Sequence, residues 1–105
     1  MTTNTAGWPT TIAVITLVTD DLQGTVRFYR DVFKMEPVHG DDDSTVFRFG
    51  ETLINLLRTE AAPELVAPAP IASVDTGVRS VLTVHVDDVD TWCATLQERG
   101  VDLLN

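Results

Sequence analysis

Residues Ile12 to Met35 read IAVITLVTDDLQGTVRFYRDVFKM, and the fold turns on this passage. From Ile12 to Val18 the side chains are β-branched or apolar with threonine interleaved, the composition of a pleated, largely buried strand. Thr19-Asp20-Asp21 stops it. Either aspartate can accept backbone N–H bonds at a helix start, and its charge suits the positive end of the helix dipole. Leu22, Val26, Tyr29 and Val32/Phe33 then recur at helical spacing, with Arg27, Arg30 and Asp31 beside them. That predicts an amphipathic helix with one buried face.

The same form returns later. Thr83-Val84-His85-Val86-Asp87-Asp88-Val89 echoes Thr16-Leu17-Val18-Thr19-Asp20-Asp21-Leu22 at a constant offset of 67 residues. A strand meets an Asp-Asp cap twice. After the second cap, Val89, Trp92, Cys93 and Leu96 fall on one helical stripe, and Gly100 stands where helices commonly end in a left-handed residue. An offset this long fits two tandem modules rather than a solenoid.

With 105 residues, 44% of them hydrophobic, the chain is long enough for one compact unit with a core. No run approaches the roughly 20 apolar residues that span a bilayer, and Met1 to Thr5 do not resemble a signal peptide, which predicts a cytoplasmic protein. The single cysteine, Cys93, cannot form an internal disulfide and sits on an apolar stripe, so packing is its expected role. Sixteen acidic against seven basic residues give a net charge of −9. A phosphate backbone would be repelled, so nucleic acid is not an expected partner. A cationic small molecule would be attracted, although acidity for solubility explains the same charge.

Residues 1–10 lack periodicity and form an expected flexible arm, in which Trp8 could pack on the domain or on a second subunit. Residues 11–59 make a first module of strand, helix and three strands. Within it, Glu36-Pro37-Val38-His39 predicts a short edge strand, and Gly40 to Ser44 predict an exposed turn. The three aspartates of that turn lack the ligand spacing of an EF-hand loop and are read as solvated. Thr45 to Phe49 and Thr52 to Leu57 flank Gly50-Glu51 as a tight hairpin. Residues 60–77, with Pro63, Pro68, Pro70 and Gly77, form the linker. Residues 78–105 begin a second module: a strand to Val86, a helix to Arg99, and a further strand from Val101.

Strand, Asp-Asp-Leu and the run Phe28-Tyr29-Arg30-Asp31-Val32-Phe33-Lys34-Met35, repeated in outline after a linker, resemble the vicinal oxygen chelate superfamily. That group contains glyoxalase I, extradiol dioxygenases, fosfomycin resistance proteins and bleomycin-binding proteins. Lys34 stands where its members often carry glycine. The resemblance implies an α+β fold, paired βαβββ modules whose curled mixed sheet surrounds a cleft, with the second module incomplete at its C-terminal side. It also implies a homodimer, since members commonly pair modules between chains.

Alternation along each strand then sorts the side chains. Ile15, Leu17, Ile54 and Leu56 suit the helix side, which leaves Val14, Thr16, Leu53, Asn55 and Leu57 for the cleft. By the internal repeat, Val81, Thr83 and His85 line its second wall. The orientation of Phe47 and Phe49 against Val46 and Arg48 stays open. In metal-dependent members the ligands are histidines and glutamates, and the matching positions here are Val14, Asn55 and Val81. Valine cannot coordinate a metal, so no metal and no cofactor is expected. His85 and His39 are the titratable groups near neutral pH, and His85, beside the second Asp-Asp cap, is the candidate acid or base, with a rim position as its plainer reading.

Two functions follow from the resemblance, and a third does not depend on it. The first is a bleomycin resistance-like protein that binds a small hydrophobic or cationic molecule in an apolar cleft without metal, as in antibiotic resistance of bacterial type. The second is a superfamily enzyme, a lyase, isomerase or dioxygenase, acting on a small organic substrate. The third is a shortened domain that serves as an assembly partner.

Overall fold

The computed structural model describes residues 11–77 and 80–103. The arm of residues 1–10 with its Trp8, the start of the expected second-module strand at Val78 and Arg79, and Leu104 lie outside the described residues.

Strand β1 (Val14–Thr19) leads into helix α1 (Leu22–Val32), followed by β2 (His39–Gly40), β3 (Ser44–Phe49) and β4 (Thr52–Arg58). These strands form one mixed sheet in the order β1-β4-β3-β2. β1 runs parallel to β4, which requires the crossover that α1 supplies, whereas β3 pairs antiparallel with both β2 and β4. This is a complete βαβββ module with an open sheet.

Local chemistry explains the connections. Asp21 is the N-cap of α1, and its side chain accepts a hydrogen bond from the Gly24 N–H at 3.0 Å. The turn before β3 closes on Asp41, whose Oδ1 accepts from the Asp43 and Ser44 N–H groups at 2.8 and 2.9 Å. Those backbone donors hold its carboxyl below the usual carboxylate range. β2 starts at His39, later than the expected Glu36, because Pro37 has no N–H to donate. Val38 still donates to the Val46 carbonyl. In the β3–β4 hairpin Phe49 pairs with Thr52 across two residues, the first of which is Gly50 at φ +62°.

The core lies between α1 and the sheet. Tyr29, Phe47, Ile54 and Leu56 form its buried centre, with Ile15, Leu17, Leu22, Val26, Phe33, Met35 and Phe49 packed around them. The orientation left open in the sequence is thereby settled: Phe47 and Phe49 face α1.

Beyond β4 the linker contains a short helix α2 (Pro63–Val66) and a cis Ala67–Pro68 bond. Helix α3 (Val89–Glu98) starts at the N-cap Asp88, which accepts from the Asp90 and Thr91 N–H groups. It ends in paired bonds from Gly100 N–H to the Gln97 carbonyl and from Val101 N–H to the Leu96 carbonyl, with Gly100 at φ +85°. That is the Schellman arrangement, which requires a left-handed residue where Gly100 stands. None of the α3 residues is buried.

Residues 80–86, expected as a strand, form none, and 101–103 form none either. A strand is held by ladder bonds to a neighbour, and no described segment supplies them here. Val81 is 80% exposed. No helix among the described residues is long and apolar enough to cross a membrane.

Candidate functional site

The register fixes which side chains share the sheet face opposite α1. Ile15, Leu17, Ile54 and Leu56 point into the core, so alternation puts Val14, Thr16 and Val18 of β1 and Leu53, Asn55 and Leu57 of β4 on the other face. Thr16 lies directly opposite Asn55, and Val46 of β3 flanks Asn55 on its other side. Asn55 Nδ2 donates to Thr16 Oγ1 at 3.4 Å, while Asn55 Oδ1 is buried and has no hydrogen-bond partner among the described residues. Leu57 is buried, and Val14, at the strand start, is 47% exposed.

A cavity of about 620 Å³ opens on this side of β1. Thr16 and Val18 belong to its floor, and the linker returns over them to supply Val66, Pro70, Ile71 and Val74 as walls. These linker residues were not among those expected to bind. Their only signal in the sequence is that Val66 and Ile71 are branched apolar residues within an otherwise alanine- and proline-rich connection.

The residues expected from the second module do not join this surface. Thr83 lines a separate cavity of about 460 Å³ with Ile15, Phe28, Tyr29 and Phe49 on the α1 side of β1. His85 lines a third, of about 570 Å³, against α3 with Trp92, Cys93 and Leu96. Val81 lines none of the three. His39 is exposed on the edge strand β2.

The positions matching the family's metal ligands do not fit a metal. The side chains of Val14 and Val81 offer no lone pair, and Asn55 offers one neutral amide oxygen. Among the described residues no group of three or more His, Cys, Asp or Glu is arranged to hold an ion.

The profile of the Glyoxalase/Bleomycin resistance protein/Dioxygenase superfamily matches residues 11–105. The chain belongs to this superfamily. Among solved structures, a glyoxalase/bleomycin resistance protein/dioxygenase from Nocardioides superposes on this superfamily member with a TM-score of 0.81 at 20% identity, over 96% of this chain and 69% of that one. A lactoylglutathione lyase from Agrobacterium tumefaciens gives 0.73 at 24% identity, over 92% of this chain and 75% of that one. A virulence protein from Salmonella typhimurium gives 0.72 at 20%, over 93% and 75%. At such identities the likeness establishes a shared glyoxalase-type fold. No match is found among the curated proteins.

Proposed function

We propose that this glyoxalase-superfamily chain binds a small, planar, largely hydrophobic molecule, neutral or cationic, on the sheet face opposite α1 and without a metal. The observation that carries the reading is the cavity of about 620 Å³ between β1 and the linker. Its size and mainly apolar walls, broken by a few polar groups such as Thr16 and Ser80, have the character of a small-molecule site. The net charge of −9 raises the local concentration of a cationic ligand over a neutral one.

Binding is favoured over catalysis by what lines the cavity. Among its described residues there is no His, Cys, Asp or Glu, so it lacks a side chain of the kinds that commonly exchange a proton near neutral pH. Enzymatic use of the same fold would need such a group brought in from elsewhere.

The test is calorimetric titration with two bicyclic probes, neutral 2-naphthol and cationic N-methylquinolinium, against the native chain and Ile71→Trp. Tryptophan in place of Ile71 fills the cavity from its wall. Binding to the native chain that weakens at least about tenfold in Ile71→Trp, with an unchanged melting temperature, is the expected result. Absence of binding by either probe at millimolar concentration, or equal binding to both proteins, would overturn the proposal.

A further inference from the structure

We propose that the cavity of about 570 Å³ between the end of α1 and helix α3 is a second binding site, which takes a small organic cation such as a free quaternary ammonium compound. It lies on the α1 side of the sheet, away from the cavity between β1 and the linker, and goes beyond the reading given for that one.

Three aromatic rings meet there. Phe33 and Phe49 are set edge to face with centroids 5.7 Å apart, and Trp92 joins them from α3. Trp92 stands where the first helix, 67 residues earlier, has Thr25, and it remains 39% exposed beside the open cavity. A tryptophan placed for packing alone would be covered. The faces of aromatic rings carry negative potential and attract a cation, the indole most strongly.

The charge around the rings has the matching sign. None of the described residues lining the cavity is Lys or Arg, and Asp87 supplies a carboxylate. The two Asp-Asp pairs of the repeat differ at this point. Asp21 and Asp88 cap their helices, and Asp20 accepts from the Thr59 hydroxyl. Asp87, the repeat mate of Asp20, has no ion pair among the described residues. Its charge is therefore left for a cation in the cavity. The partial positive charge at the α3 N-terminus, which would oppose such a ligand, is met by the Asp88 carboxylate that accepts the Asp90 and Thr91 N–H groups. The cavity has the size of a small-molecule site, and a headgroup held in a bilayer would have to leave it to enter.

The experiment compares choline with 3,3-dimethylbutan-1-ol, in which carbon replaces the charged nitrogen and nothing else changes. At pH 8 imidazoles are neutral, so His85, which also lines the cavity, does not oppose the cation. Calorimetry on the native chain should show choline tighter by about tenfold or more. Trp92→Leu and Asp87→Asn, checked for folding by circular dichroism, should each weaken choline at least about threefold, and Trp92→Phe should retain most of the binding. Ile71→Trp, in the other cavity, should leave choline unchanged. Equal affinity of the two probes, no choline binding at millimolar concentration, or unchanged affinity in folded Trp92→Leu or Asp87→Asn overturns the proposal. So does weakening by Ile71→Trp alone, which would put the cation in the first cavity, or cosedimentation with phosphatidylcholine vesicles without binding of free choline. Binding of 2-naphthol and its loss in Ile71→Trp stand or fall separately.

Discussion

The ring of Tyr29 on α1 stacks on that of Phe47 on β3, with centroids 5.4 Å apart and planes inclined by 26°. Phe33 lies tilted against Tyr29 at 5.5 Å, and Phe49 meets it at right angles at 6.1 Å. This aromatic group holds the crossover helix to the sheet. Tyr29→Ala should cost roughly 2 to 5 kcal/mol, since a cavity opens beside a fully buried Phe47. Leu96→Ala, on a helix without buried residues, should cost less. Urea denaturation of both variants gives the comparison, and equal losses would contradict this packing.

Lys34 follows the end of α1 with φ +57°, the left-handed conformation that a helix terminus favours and a side chain resists. Lys34→Gly should raise stability by about 1 kcal/mol, or roughly 4 to 8 °C in a domain of this size. A thermal melt that falls instead would mean that the lysine side chain contributes more than its backbone costs.

Asp88 caps α3, and its carboxyl is held below the usual carboxylate range, first by the Thr91 hydroxyl and then by the Thr91 and Asp90 N–H groups. A folded pKa below the unfolded one gives stability that is present above the unfolded value, near 4, and lost as pH falls through the folded value. Helicity of α3 should therefore drop in acid. Asp88→Asn retains a capping oxygen but cannot titrate, so its circular dichroism at 222 nm should change less between about pH 5 and pH 2. Identical acid profiles would remove Asp88 from the acid response.

No stoichiometric transition metal is expected in the purified chain, because Val14 and Val81 stand at two of the family's ligand positions. Elemental analysis finding about one zinc, iron or manganese per chain would refute this.

A homodimer is expected from the strand edges. β1 and β2 are the two edges of the sheet, and Val81, Leu82 and Val84 are exposed on a β-rich run that has no strand partner among the described residues. Such edges tend to pair with another chain. Sedimentation should give a two-chain species at micromolar concentration, and a stable monomer there would exclude it.

Much of the first module was legible because its signals are local. The Asp21 and Asp88 caps, the Gly50 turn and the helical stripe through Tyr29 each depend on residues within a turn or two of one another. Strand parity likewise sorted Ile54 and Leu56 from Leu53 and Asn55. The second half was harder to read, because a strand is defined by its neighbour. Residues 80–86 have β-forming side chains, but sequence alone could not say whether a partner backbone lies alongside. The same limit hid the walls of the cavity. Pro70 and Ile71 come to lie over Thr16 through the path of an aperiodic linker, and parity, which gives a residue's face, does not give that path.

The guanidinium of Arg99, at the end of α3, donates to the carbonyl of Val32, at the end of α1. The two residues are 67 positions apart, the offset of the internal repeat, so each is touching its own counterpart. In a twofold assembly of identical units, only positions close to the rotation axis meet their own equivalents. The contact thus ties the C-terminal end of the second repeated helix to the C-terminal end of the first, at equivalent positions of the repeat.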